Sequence, residues 1–262
     1  MKTNPVIALL TDFGVEDGYV ASMKAVILSR APNCRIIDVS HSVQPQNIDQ
    51  AAFLLWSSYK YFPTNTIFIC VVDPGVGTDR KIICAEGEGY KFLAPDNGIL
   101  KFILGSIKKM KIYSVNNSKY FLTDVSSTFH GRDIFAPAAA HIINGLELKK
   151  LGPQTTPLFH AEHFVEILPI PHERYHGKII NIDRYGNIIT NFLFKDKPSG
   201  TLHLKVAHKT INEFEDNYAK ANSKNPFMII GSAKLLEVAV KNGSASSILH
   251  PNINQEIILD ID

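Results

Sequence analysis

Several shortages in this sequence each remove a class of reading. Charge of one sign is scarce in excess: 27 Lys and Arg stand against 25 Asp and Glu, a formal net charge of +2. A nucleic-acid surface needs a wide basic face. The densest basic stretch, Lys108-Lys109-Met110-Lys111, reads only as a solvated turn. No apolar run approaches the roughly 18 residues of a membrane span. Cysteines number three, Cys34, Cys70 and Cys84; none shows CxxC spacing, and the last two lie inside apolar runs. They read as buried free thiols, not as a disulfide framework or a metal site, which fits a reducing compartment. Met1-Lys2-Thr3-Asn4-Pro5 leads straight into a strand-like run with no signal-peptide pattern. The expectation is a cytoplasmic protein with neither nucleic acid nor membrane as a partner.

What remains is ordinary globular material. The 262 residues are 45% hydrophobic and 20% charged, enough for a sizeable core and for two unequal domains. The first half alternates strand and helix signals. Apolar runs at Val6 to Leu10, Arg35 to Val39 and Ile67 to Val72 read as strands, the last as a strand buried on both faces. Between them, Asp17 is placed to cap a helix through Arg30, and Asn47 to cap a second one running to about Tyr61, where Pro63 stops it. Lys81 to Ala85 and Tyr90 to Ala94 read as a hairpin, and Ile134 to Ile143 as a helix closed by Gly145. From His176 on, only short strand-like runs occur: Lys178 to Ile182, Ile188 to Phe194, Thr201 to Val206, Phe227 to Ile230 and Ile257 to Ile261. The pattern predicts an α/β fold: an N-terminal α/β domain, residues 1–160, with a largely parallel sheet, and a smaller β-barrel-like C-terminal domain, residues 174–262. A Pro-spaced linker at about 153–173 joins them.

In an open α/β sheet, ligands bind beyond the carboxyl ends of the strands, and three polar clusters follow apolar runs here. Thr11-Asp12-Phe13-Gly14, with Asp17 close behind, supplies two carboxylates. Asp73-Pro74-Gly75-Val76-Gly77-Thr78-Asp79-Arg80 has glycines that permit close backbone approach but lacks any phosphate-loop pattern. Ser127-Thr128-Phe129-His130-Gly131-Arg132-Asp133 crowds a histidine, an arginine and a carboxylate before a helix, where Asp133 can be a plain N-cap. His41, after the second strand, reads as structural.

Taken in order, these clusters resemble the S-adenosylmethionine hydroxide adenosyltransferases, relatives of the fluorinating and chlorinating enzymes that consume the same substrate. The resemblance spans nearly the whole chain and includes Leu10 to Gly14, Val71 to Arg80, Pro95-Asp96-Asn97-Gly98, Ser127 to Pro137 and Ile182 to Asn187. It implies that Asp73, Arg80 and His130 are catalytic and that Asp12 holds the ribose hydroxyls. It places Asp17 near the methionine end, and Asp183 and Asn187 among the ligand-binding residues, Asn187 towards adenine. Ser232, Glu237 and Val240 match the last binding stretch, within which the family often has glycine where this chain has Lys234. Phe129 and Ile189 would be apolar walls. A homotrimer with sites between subunits, and no metal or cofactor, complete what the resemblance implies.

The chemistry suits these residue types. The leaving group from a sulfonium is a neutral thioether, so no general acid is required; an aligned oxygen nucleophile is. A carboxylate of pKa about 4 cannot fully deprotonate water of pKa about 15.7, a gap on the order of 16 kcal/mol. Asp73 is therefore expected to orient the water and take its proton as attack proceeds, with Arg80 and His130 polarising it. Halogenation is the nearest rival. A halide beside Asp73 would be repelled by about 4 kcal/mol at ~4 Å and an effective dielectric of ~20. Halogenating relatives lack an acid at the matching position, and the fluorinating one carries an extra loop, whereas Lys81 to Asp96 runs here without insertion. A metal-dependent hydrolase would call for HxH or HExxH spacing, which is missing. A non-catalytic S-adenosylmethionine sensor would carry the same binding residues.

Overall fold

The structure is a computed structural model that describes residues 5–168, 170, 172–195, 200–221 and 224–262. The chain divides into two compact units, Met1–His163 and Phe164–Asp262.

The first unit is built on a six-stranded sheet. Strand β1 (Val6–Thr11) is buried along its whole length. Helix α1 (Tyr19–Arg30) follows and buries Val20, Met23 and Ile27, one stripe at helical spacing. Its N-cap is Gly18 with no side-chain bond, so the expected cap at Asp17 is not formed. Asp17 sits one residue too early and is exposed, while the Gly18 carbonyl accepts from the main chain and hydroxyl of Ser22. Strand β2 (Arg35–Ser40) leads to α2 (Ile48–Ser58), where the Asn47 side chain accepts from the Gln50 N–H at 2.9 Å, as read from the sequence. A 3-10 turn at Tyr59–Tyr61 carries the helix to Pro63. Strand β3 (Ile67–Val71) is buried on both faces. The hairpin β4 (Ile82–Gly87) and β5 (Tyr90–Pro95) turns through Glu88 and Gly89, both at positive φ as a type I′ turn requires. Helix α3 (Lys101–Ser106) and the edge strand β6 (Lys111–Ser114) come next, so the basic stretch at 108–111 ends in a strand and is not only a turn. A π-helical turn, Gly131–Phe135, runs directly into α4 (Ala136–Ile143), and Gly145 closes the segment at φ +97.

The sheet order is β2-β1-β3-β5-β4-β6. Pairings β1–β2, β1–β3 and β3–β5 are parallel, while β4–β5 and β4–β6 are antiparallel. The sheet is thus mixed, and its parallel part carries the strand ends that matter below. Alternate residues feed two cores. Ile7, Leu9 and Ile69 pack with Met23, Phe135 and Ala138 on one face. Ala8, Leu10 and Phe68 pack with Leu55 and Ile103 on the other.

The second unit contains β7 (Val165–Ile167), β8 (Glu173–Ile182), β9 (Ile188–Phe194), β10 (Leu202–Val206), β11 (Lys209–Ile211), β12 (Phe227–Ile230), β13 (Leu235–Ala239), α5 (Ala245–Leu249) and β14 (Glu256–Ile261). The sheet runs β11-β10-β14-β8-β9-β13-β12, antiparallel throughout that path, with β7 parallel to part of β9. A bridge between Phe214 and Met228 joins the segment after β11 to β12, the opposite edge, so the sheet nearly closes into a barrel. Phe192, Leu204, Met228, Leu236 and Leu259 fill it. Among the described residues, no helix is long and apolar enough to cross a membrane.

Candidate active site

The chain leaves β3 through buried Val72 and enters a tight loop, Asp73 to Arg80. Val76 N–H donates to the Asp73 carbonyl, and both the N–H and the hydroxyl of Thr78 donate to that of Gly75. These turns fold the loop back on itself, so that Arg80 reaches the residue that opened it. Its Nε lies 2.9 and 2.8 Å from the two Asp73 carboxylate oxygens, and its Nη2 lies 2.5 Å from Oδ2. The side chains are only 11% and 5% exposed. Removing either partner would leave a charge stranded away from water, which costs far more than breaking a surface pair.

Arg80 also reaches a second loop. Its Nη2 lies 2.8 Å from His130 Nδ1. A guanidinium has only donors, so Nδ1 is the acceptor and the ring hydrogen sits on Nε2. Burial, then the Arg80 charge, hold the His130 pKa below the usual histidine value. The two loops are held close by Gly77, which sits at φ +80. A Cβ there would come within 2.5 Å of the Ser127 carbonyl oxygen.

Asp73 and His130, but not Arg80, line a cavity of about 400 Å³ at the strand ends, together with Asp12, Tyr19 and Phe129. Asp12 Oδ2 accepts the N–H of Gln46 at 2.7 Å. Phe13, Tyr19 and Phe129 form a ring cluster with centroids 5.1 to 5.9 Å apart. The Arg132 guanidinium lies 5.0 Å from the Phe129 centroid. Asp133 is fully buried, with Oδ2 accepting the Ser126 N–H at 2.8 Å and both oxygens bonded by Arg132.

In the second unit, the hairpin between β8 and β9 is organised by one carboxylate. Asp183 Oδ1 accepts the N–H groups of Tyr185 and Asn187 at 2.8 and 2.9 Å, and Oδ2 accepts Asn187 Nδ2 at 2.8 Å. Glu237 on β13 is buried opposite Ile189 of β9. Burial, reinforced by the Asp183 charge, pushes its carboxyl up to about 7, against a hydrogen bond from Tyr218 that lowers it. Among the described residues, no group of three or more His, Cys, Asp or Glu side chains is arranged to hold a metal.

Two matched domains decide the affiliation. Residues 7–152 match the SAM hydroxide adenosyltransferase N-terminal domain, and residues 177–258 match the SAM hydroxide adenosyltransferase C-terminal domain. The chain belongs to the SAM hydroxide adenosyltransferase family. A protein of Thermus thermophilus named (R)-S-adenosyl-L-methionine hydrolase is 34% identical over 250 residues, covering 93% of this chain and 94% of the relative. A fluorinase of an Actinoplanes species is 28% identical over 72% of both chains. The crystal structure of an uncharacterized conserved protein from Thermotoga maritima superimposes with a TM-score of 0.85 at 32% identity, covering 97% of this chain and 99% of that one.

Within this family frame, the residues expected from sequence fall into distinct settings. Asp73, Arg80 and His130 are drawn into one hydrogen-bonded chain, and Asp12 and Phe129 line the same cavity. Asp17 is exposed and is not part of that lining. His41 is buried, 2.8 Å from Thr11 Oγ1 and 3.0 Å from Asp38, in keeping with a structural role. Asp133 is not a helix cap: the π-turn starts earlier, with His130 at the cap position, and Asp133 lies inside it. Ser232 is exposed and Val240 is buried. Lys234 stands at φ +63, the left-handed region that glycine enters without cost, so a glycine would fit this position. Gln46 and Tyr19 escaped the sequence reading, while Asp133 was read there as a plain N-cap and not as a buried carboxylate. Asp133 had a signal in the crowded 127–133 cluster, whereas the bond from Gln46 to Asp12 is made by a main-chain N–H, which no residue type signals.

Proposed function

We propose that this chain hydrolyses S-adenosyl-L-methionine to adenosine and L-methionine. The observation that carries this reading is the part-buried Asp73–Arg80–His130 chain, whose Asp73 and His130 line a cavity, in a protein of this family. The oxygen of a water attacks ribose C5′, the C5′–S bond breaks, and its electron pair stays on sulfur as the neutral thioether of methionine. One water proton passes to Asp73 as the bond forms. Asp73 Oδ2 receives two Arg80 bonds and Oδ1 one, which leaves Oδ1 a lone-pair direction with which to orient that water. His130, with hydrogen on Nε2, supplies a donor to the water or to the developing hydroxyl. Asp12 would hold the ribose hydroxyls, and Asp17, Asp183, Asn187, Ser232, Glu237 and Val240 the remainder of the substrate.

We read the reaction as independent of metal and cofactor, because a thioether leaves without Lewis-acid help. The retained Asp73 speaks against halide as the nucleophile. The family resemblance further implies a cytoplasmic homotrimer whose sites join the first unit of one subunit to the second unit of a neighbour. The relative's name specifies the (R) sulfonium epimer, so the assay offers both epimers. The test is incubation in oxygen-18 water with and without chloride, and with EDTA. Adenosine labelled at the 5′-hydroxyl, equimolar with methionine and insensitive to EDTA, is expected. Dominant 5′-chloro-5′-deoxyadenosine would install the halogenase reading instead, and binding without turnover the sensor reading.

A further inference from the structure

The tetrapeptide Pro95-Asp96-Asn97-Gly98 has so far no part in the chemistry, yet it touches both stems of the loop that carries Asp73 and Arg80. Paired register between β3 and β5 runs only from Ile67 to Ile69, and that between β3 and β1 only to Val71. Val72, the last residue before Asp73, lies beyond both. Its carbonyl accepts Asn97 Nδ2 at 2.8 Å, while Asn97 Oδ1 accepts the Ile99 N–H at 3.2 Å and so fixes which way the amide points. The other stem is Lys81, the first residue after Arg80, and its carbonyl accepts the Asp96 N–H at 2.9 Å. Adjacent residues therefore grip the chain just before Asp73 and just after Arg80.

We propose that Asn97 is a positioning residue for the Asp73–Arg80 pair, acting through the Val72 carbonyl; the proposal rests on the hydrolase reading above. The Asp96 bond is main chain and survives most substitutions, so Asn97 is the half of the grip that a side chain controls. Loss of its donor frees one stem of the loop. The carboxylate that orients the nucleophile then wanders, and misplacement on the order of 1 Å is enough to cost a reaction about 100-fold.

The test compares wild type, Asn97→Asp and Asn97→Ala by kcat, KM for S-adenosylmethionine, thermal midpoint and the ¹⁵N shifts of the His130 ring. Asn97→Asp is nearly isosteric and keeps the acceptor for Ile99, but loses the donor to Val72. Both variants are expected to lose kcat by roughly 10- to 100-fold with KM nearly unchanged. They should also shift the His130 Nδ1 resonance, which reports the Arg80 bond without any turnover. Protonation of the new carboxyl restores an O–H donor, so kcat of Asn97→Asp relative to wild type should recover as pH falls, and that of Asn97→Ala should not. A merely structural residue would lower the thermal midpoint and leave the pH ratio flat. Wild-type kcat and an unmoved His130 resonance in Asn97→Asp would overturn the proposal, and that variant decides alone if Asn97→Ala does not fold. An inactive wild type would instead sink the hydrolase reading, with the resonance still judging the grip.

Discussion

Arg80 Nη2 and His130 Nδ1 meet at 2.8 Å, and because the arginine has only protons to give, the histidine is held as the Nε2–H tautomer. His130 is thereby denied the role of a base at Nδ1 and kept neutral, its pKa lowered by burial and by the neighbouring guanidinium. Protonation would put two cations face to face. Activity should therefore persist down to a pH below the ordinary histidine range and fall only there. A pH–rate profile of kcat checks this, and His130→Gln should abolish the acid limb. A limb at or above about pH 6.5 in wild type would contradict it.

Asp73→Asn keeps the size of the side chain but removes the charge that Arg80 compensates. Turnover should drop by at least about 100-fold while S-adenosylmethionine still binds. Titration calorimetry beside a rate assay separates the two, and near-normal turnover would mean the water is activated elsewhere. Arg80→Lys should be nearly as damaging, since one ammonium cannot span both Asp73 oxygens and His130.

Glu237 gives the second unit a pH dependence of the opposite sense to that of a paired surface acid. Its folded pKa, about 7, lies above its ordinary value of 4.5, so the folded state prefers it protonated. That preference is fully present below about pH 4.5 and is lost as pH rises through 7, on the order of 3 kcal/mol in all. Denaturant unfolding at several pH values should show this slope in wild type and a flatter one in Glu237→Gln. Equal slopes would refute it.

Lys234 occupies a left-handed turn position, its N–H donating to Gly231 and its carbonyl accepting from Phe194. Lys234→Gly should relieve about 1 kcal/mol of backbone strain, against some gain in unfolded-chain entropy. The thermal midpoint should rise slightly. A clear fall would show that the lysine side chain does something the turn does not.

How much of this was legible beforehand depended on whether the signal was local. Strand β3 was, since Ile67 to Val72 is an unbroken apolar run, and so was the cap at Asn47, where the side-chain acceptor and the N–H donor lie three residues apart. Strand β6 hid behind its lysines because an edge strand need not be apolar, and the six-residue α3 was too short to show a period. The meeting of Asp73 with Arg80 spans seven residues, and Arg80 with His130 fifty. No periodicity reports such a distance; only the resemblance put those three together. Asp133 misled because the added π-turn moves the start of the helix, making a capping residue in appearance into a buried one in fact.

That π-turn carries one further consequence. Its main-chain bond runs from Ala136 N–H back to the Gly131 carbonyl, one residue longer than an α-helical step. The surplus residue sets the phase between His130 and the apolar stripe of α4. Deleting one residue from Gly131–Phe135 would let the backbone relax into a continuous α-helix with α4 still seated. His130 would then swing by about 100° around the axis, away from Arg80. A single-codon deletion could thus silence the site while sparing the fold, so the length of this segment, and not only its composition, is under functional constraint.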